Sequence, residues 1–210
     1  QSSLLWRSSH FDLEGFYRKG HYHWGYEGDF FGLYPEANYE PDVDRYNSNA
    51  PSGMVLTAKG ALAGLKIAFG PQVYWGANPT VIAKYQRTLA GIDFAVMHQE
   101  DITRQLAIAT SAAIPEQVTR KSTVHASMQH GALKLELGGI FAGSEKIGQT
   151  FYASRPATGR YYGEWDAAVD APGYHILRDE IHITDTVGGK LKLTYEDGGI
   201  GWYAQGSYKG

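Results

Sequence analysis

Apolar and polar residues alternate along much of the chain, and several alternating stretches follow a glycine-containing turn. In the clearest example, three leucines at every second position from Leu133 to Leu137 are separated by Lys134 and Glu136, directly after Gly131. Similar stretches begin at Leu65, Ile92 and Leu191. A period of two is typical of a β-strand with one apolar face, and a preceding tight turn makes each stretch the second strand of a hairpin.

The pattern predicts an all-β, antiparallel up-and-down meander of about ten strands, closed as a β-barrel, in a single domain over residues 1–210. The predicted strands are residues 10–18, 53–59, 64–70, 80–88, 91–98, 118–130, 133–142, 179–187, 190–196 and 199–208. The same alternation also describes a soluble β-sandwich or jelly roll, in which the apolar face is a core and the polar face meets water. Both architectures therefore stay open at this point.

The predicted connections alternate between short and long. Tight glycine turns fall at 60–63, 89–90, 131–132 and 188–189, whereas the long connections are 19–52, 71–79, 99–117 and 143–178. Only the short connection 197–198 breaks the alternation. Because successive connections of a meander lie at opposite ends, the long ones are expected to gather at one end.

This arrangement resembles the bacterial outer-membrane β-barrel, or porin-like, class over most of residues 53–208. The resemblance implies that the leucines at 133, 135 and 137 face lipid, and that Lys134, Glu136, Lys190 and Lys192 face the interior. It also implies a bacterial outer-membrane location, with the lipid bilayer as a partner; secretion is the alternative. Barrels of this class commonly end on an aromatic residue, but here Lys209 and Gly210 follow Tyr208. A portion of a larger barrel is therefore a second expectation.

Composition narrows the range of partners. The 210 residues are 43% hydrophobic with a net charge of −3, which predicts an ordered domain, and the basic residues form no stripe that would attract nucleic acid. The absence of cysteine excludes disulfides and thiolate metal sites. The oligomeric state is left open.

The candidate substrate-binding residues lie in the long connections, where aromatic rings occur beside carboxylates and amides. They are Trp24, Tyr26, Asp29, Tyr34, Trp75, Asn78, Tyr162 and Trp165. Aromatic faces stack on the apolar face of a pyranose, while carboxylates and amides bind its hydroxyl groups. The alternative is that these rings pack on one another as a cap or form an interfacial aromatic belt.

No catalytic residue is predicted, because no nucleophile turn, phosphate loop or zinc motif occurs. No cofactor or metal is predicted either, although Asp42, Asp44 and Asn47 have the alternating oxygen donors that could hold calcium. The sequence thus predicts an outer-membrane barrel that passes or binds a polar solute, with an oligosaccharide as the main candidate. The alternatives are a soluble extracellular β-sandwich that binds or cleaves a polysaccharide, and one wall of a larger assembly without a site of its own.

Overall fold

The computed structural model describes residues 2–17, 30–33, 52–73, 79–103, 120–143, 146–156, 164–165 and 174–210. Within these ranges the regular structure is strand, apart from short 3₁₀ helices. The strands are β1 (Ser2–Arg7), β2 (Phe11–Tyr17), β3 (Ser52–Ala58), β4 (Leu65–Gln72), β5 (Thr80–Leu89), β6 (Ile92–Asp101), β7 (Arg120–His130), β8 (Leu133–Ala142), β9 (Thr150–Pro156), β10 (Glu164–Trp165), β11 (Tyr174–Glu180), β12 (Val187–Asp197) and β13 (Ile200–Lys209). In the described ranges, none of the helices has the length and apolar character needed to cross a membrane.

Ten strands form one sheet in the order β1-β2-β3-β4-β5-β6-β7-β8-β12-β13, and every neighbouring pair is antiparallel. The predicted all-β meander of about ten strands is confirmed. A separate three-stranded sheet, in the order β10-β11-β9, lies within the connection from β8 to β12. Over the described strands, β1 and β13 are the edges of the large sheet and no ladder joins them, so the closure of the barrel stays a prediction.

The predicted strand 179–187 and the predicted turn 188–189 are wrong. Ile183–Thr186 is a 3₁₀ helix, in which the backbone N–H of His182 donates to the Asp185 carboxylate at 2.7 Å. Gly188 and Gly189 lie inside β12, paired with Ile140 and Gly139 of β8. A Cβ on Gly188 would lie 2.6 Å from Ile140 Cγ2, so this glycine provides space within the sheet rather than a turn.

The tenth strand of the sheet is instead β1, which the sequence did not reveal. With this correction the connections alternate without exception. The short ones are 8–10, 59–64, 90–91, 131–132 and 198–199; the longer ones are 18–51, 73–79, 102–119 and 143–186. The connection that broke the predicted alternation belongs to the short-turn end, and all longer connections share the other end.

Two of the short turns have the geometry expected of two-residue hairpins. Ala90 and Gly91 have φ values of 52° and 79°, and Gly198 and Gly199 have φ values of 55° and 82°. Positive φ at both central residues is the type I′ arrangement, whose twist matches that of the flanking strands. These turns set the register of the β5–β6 and β12–β13 hairpins.

A small apolar core lies on one face of the sheet, which we call the inner face. It is formed by Phe16, Val55, Ala68, Val73, Ile82 and Met97. Leu33, from the connection between β2 and β3, packs against it. The core occupies only the β2–β6 part of the sheet, so most of the remaining inner face is available to polar side chains.

Candidate functional site

Most of the predicted substrate-binding residues lie outside the described ranges. These are Trp24, Tyr26, Asp29, Tyr34, Trp75, Asn78 and Tyr162, and the same holds for the possible calcium donors Asp42, Asp44 and Asn47. Trp165 lies in the short strand β10, where it pairs with Leu177 of β11. The predicted sugar site therefore stays a prediction. Within the described ranges, no group of three or more His, Asp or Glu residues is placed to hold a metal ion.

The site that the structure does describe begins with the unlike faces of the large sheet. Side chains alternate between the faces along each strand, and paired residues of neighbouring strands share a face. One inner row joins Ser127 of β7, Glu136 of β8, Lys192 of β12 and Gln205 of β13. The next inner row joins His125, Gly138, Lys190 and Ser207. The inner face of β7, β8, β12 and β13 is thus mainly polar and carries several lysines.

The opposite, outer face is mainly apolar across all ten strands, although the exposed Arg87 of β5 lies on it and donates to the Tyr85 hydroxyl. Its exposed apolar side chains are Leu4, Trp6, Tyr17, Met54, Phe69, Tyr85, Leu89, Phe94, Val96, Val124, Met128, Leu133, Leu137, Phe141, Val187, Leu191, Ile200, Trp202 and Tyr208. Leu137, which lies between Ala126 of β7 and Leu191 of β12, is 49% exposed. Monomeric soluble proteins rarely expose so extensive a contiguous apolar surface.

Polar side chains lie on the outer face of β6 and β7 towards the end that carries the longer connections, and His130 lies on the outer face of β7 at the short-turn end. His98 Nδ1 lies 2.8 Å from the Ser122 hydroxyl, and the Arg120 guanidinium donates to the Glu100 carboxylate. These two pairs lie beyond Val96 and Val124 along the same strands. They mark the edge of the apolar band at this end.

Residues 30–33, which we call the inserted segment, lie on the inner face. Phe30 sits over Gly138, midway along β8, between the flanking residues His125 and Lys190. Its ring stacks on the His125 imidazole, with 4.4 Å between centroids and 18° between planes. Lys190 Nζ lies 4.4 Å from the centroid of the same ring and donates to the Phe30 carbonyl at 2.9 Å. The row of three residues thus forms a seat for one phenyl ring.

A hydrogen bond and the burial of a second phenyl ring also hold the inserted segment. Lys121 Nζ donates to the carbonyl of Leu33, and Phe31 is only 9% exposed. Gly138 is required beneath the segment, because a Cβ there would lie 2.6 Å from Phe30 Cδ1 and 2.9 Å from Phe31 Cε2. Backbone from the connection between β2 and β3 therefore occupies the inner face at about half the length of β8.

Beside this seat, towards the short-turn end, basic groups surround a buried carboxylate. Glu136 is 7% exposed, and its Oε1 lies 3.1 Å from Lys134 Nζ and 3.5 Å from His125 Nε2. Lys192 Nζ lies 4.0 Å from the other carboxylate oxygen and 5.4 Å from the centroid of the Tyr203 ring. The lysines are about one-third to one-half exposed, so they present positive charge to the space above the sheet.

Sequence reasoning placed Lys134, Glu136, Lys190 and Lys192 on one face, and the strand register confirms that they share it. It did not identify the inserted segment, because Phe30 and Phe31 were part of a longer aromatic run. The available signal was Gly138, a glycine inside a strand with no turn to explain it, which often marks a close approach of another part of the chain. Comparison of the chain with protein-family models, with curated proteins and with solved structures finds no match.

Proposed function

We propose that the chain, as a single β domain, forms the wall of a bacterial outer-membrane β-barrel that passes or binds a polar solute, with an oligosaccharide as the expected solute. The observation that carries this proposal is the outer face, which is mainly apolar and has exposed apolar side chains on all ten strands. The acyl chains of a bilayer would cover such a face without a further protein layer. The polar inner face is the complementary feature, since it suits water and polar solutes.

Strand length supports the same proposal. The six strands β5–β8, β12 and β13 have 10 or 11 residues each, which agrees with the roughly 9–11 tilted residues needed to cross a bilayer. The His98 and Glu100 side chains then fall at the edge of the apolar band, where polar groups meet the membrane interface. The sorting of short and longer connections to opposite ends is also typical of this class.

The proposed mechanism is diffusive, and no covalent bond is broken. Aromatic residues of the longer connections, such as Trp24, Trp75 and Tyr162, supply stacking surfaces that a sugar ring can leave as easily as it binds. The inner face of the large sheet offers charged and hydrogen-bonding groups. The inserted segment covers the middle of β8, and it would therefore narrow the interior of the proposed barrel.

A soluble β-sandwich that binds or cleaves a polysaccharide is less well supported. Such a fold would cover the apolar face with a second sheet. Leu133 and Leu137 are instead 42% and 49% exposed, and the ten strands follow one another in sequence without a Greek-key crossover. Neither observation favours this second candidate.

Membrane insertion of outer-face and inner-face variants tests the proposal. We expect the wild-type protein to fold into phosphatidylcholine vesicles and to make them permeable to small sugars. Leu137→Lys places a charge in the middle of the apolar band, and it should lower the stability of the inserted protein by about 2–4 kcal/mol. Urea unfolding in the vesicles measures this change.

Gln86→Lys is the matched control, because Gln86 is exposed and pairs with Ala95 on the inner face. Its effect should be small. The proposal is wrong if the wild-type protein is monomeric without detergent and does not enter vesicles. If it does enter, solute binding is examined with Trp24→Ala and Trp75→Ala, which should weaken affinity without preventing insertion.

A further inference from the structure

We propose that the inner face of β7, β8, β12 and β13 selects anionic solutes, so that the transported molecule carries carboxylate or similar acidic groups. This inference rests on the proposed function and narrows its substrate class. Its basis is the uneven distribution of charge over the two halves of the inner face.

The half formed by β7, β8, β12 and β13 has an excess of positive charge. Its inner-face ionic residues are Lys121, Lys134, Lys190, Lys192 and Lys209, together with Glu136 and Glu196. Five ammonium groups therefore face two carboxylates among the described residues of these strands.

The half formed by β1–β6 does not share this excess. Its inner-face ionic residues are Arg7, Lys66 and Lys84 on the basic side, and Asp12, Glu14, Asp93 and Asp101 on the acidic side. Opposite signs are thus nearly balanced there. An anion near the inner face would be drawn to β7, β8, β12 and β13, because the described charged side chains of these strands carry a net positive charge.

The contacts of individual lysines agree with this view. Lys134 and Lys192 both lie beside Glu136, so two ammonium groups share one carboxylate. The hydrogen-bond acceptor of Lys190 is the neutral carbonyl of Phe30, which does not cancel its charge. Within the described part of the chain, one carboxylate and one neutral carbonyl thus hold these three lysines, which leaves a net positive charge.

The position of Lys134 and Lys192 makes them the main candidates for contacting the solute. Both ammonium groups lie beside Glu136, in the inner row next to the one that contacts Phe30, and they remain partly exposed. Gln205, the partner of Lys192 on β13, and the Tyr203 ring near Lys192 add a hydrogen-bonding amide and an aromatic surface. Such a combination suits a sugar acid better than a neutral sugar or a cation.

Ion selectivity in planar bilayers tests the inference. Under a potassium chloride gradient, the wild-type protein should prefer chloride over potassium by about tenfold, in line with the enrichment that a field of one sign produces. In a vesicle assay, the anionic sugar glucuronate should enter faster than the cationic sugar glucosamine, which has a similar size. Lys134→Gln combined with Lys192→Gln should abolish most of both preferences.

Glu136→Gln is the opposite change, since it removes the carboxylate and leaves both lysines. It should increase chloride preference, and it keeps the test decisive if the double variant does not fold. Lys59→Gln is the control, because Lys59 also forms an ion pair, with Asp12 at 2.6 Å, but lies in a short turn outside this wall. It should leave selectivity unchanged.

The outcomes separate the two proposals. Absence of any conductance or solute entry from inserted protein would contradict the proposed function. Conductance without anion preference, or a preference that neither the double variant nor Glu136→Gln changes, would contradict only the inference drawn from the lysines.

Discussion

The phenyl ring of Phe30 lies flat against the imidazole ring of His125, although the two residues are 95 positions apart in the chain. The contact links the connection between β2 and β3 to the centre of β7. It also fixes how far residues 30–33 extend along the inner face. The strength of this contact can be measured directly.

A double-mutant cycle with Phe30→Ala and His125→Ala should give a coupling free energy of about 0.5–1.5 kcal/mol, the range found for stacked rings. Urea unfolding of the four proteins supplies the values. His98 is the control partner, because it lies on the outer face beside Ser122. The changes Phe30→Ala and His98→Ala should be additive within about 0.5 kcal/mol. Additivity of Phe30→Ala with His125→Ala would show that the stacking carries no energy.

Gly138→Ala should displace the inserted segment. The new methyl group would lie 2.6 Å from Phe30 Cδ1, and overpacking of this kind typically costs about 1–3 kcal/mol. Hydrogen exchange at the amides of Phe31 and Leu33 should become faster. Gly206→Ala is the control, because a Cβ there meets no atom within 4 Å. Unchanged exchange in Gly138→Ala would place the segment elsewhere.

Gly188 and Gly189 provide a test of the corrected strand boundary. Gly188→Ala brings a Cβ to 2.6 Å from Ile140 Cγ2 and 2.8 Å from the Tyr208 carbonyl oxygen, so we expect destabilisation by about 1–3 kcal/mol. Gly189→Ala meets its nearest atom at 3.7 Å and should be neutral or stabilising by up to about 1 kcal/mol. Thermal unfolding distinguishes the two. Equal, large losses from both substitutions would support a glycine turn at 188–189 instead.

Ala90→Asn should stabilise the β5–β6 hairpin. Ala90 is the one residue other than glycine with a positive φ in the described part of the chain, and this conformation costs alanine about 1 kcal/mol. Asparagine is favoured at this position of a type I′ turn, so we expect a gain of about 0.5–1 kcal/mol in the free energy of unfolding. Ala132, in the turn after β7, has no positive φ, and Ala132→Asn should bring no such gain. Equal effects at both positions would contradict this explanation.

Local patterns predicted nine of the ten strands of the large sheet, and they failed where a residue's role depends on distant partners. The alternation through Leu133, Leu135 and Leu137 predicted both β8 and its apolar side, because strand geometry alone imposes that period. The predicted strand 179–187 failed because Ile183–Thr186 forms a 3₁₀ helix, in which the Asp185 carboxylate accepts a hydrogen bond from the backbone N–H of His182. Gly188 looked like a turn residue because its close neighbour, Ile140, is far away in sequence.

The inserted segment was beyond prediction for the same reason. Nothing near Phe30 in the sequence indicates that His125, Gly138 and Lys190 will form its seat. Those three residues come together only once β7, β8 and β12 have paired in the correct register. The lysines of the inner face could be assigned to one side from their spacing, but their excess over carboxylates required the whole sheet.

The sequential order of the sheet has a consequence for how the chain folds. Most ladders of the large sheet join strands separated by fewer than ten residues, whereas the β2–β3, β6–β7 and β8–β12 ladders close the connections 18–51, 102–119 and 143–186. Loop-closure entropy rises with connection length, so the hairpins should form early and these three junctions late. The large sheet would then assemble from four preformed blocks, β1–β2, β3–β6, β7–β8 and β12–β13. Residues 30–33 belong to one of the late junctions, so their seat would be completed among the last steps of folding.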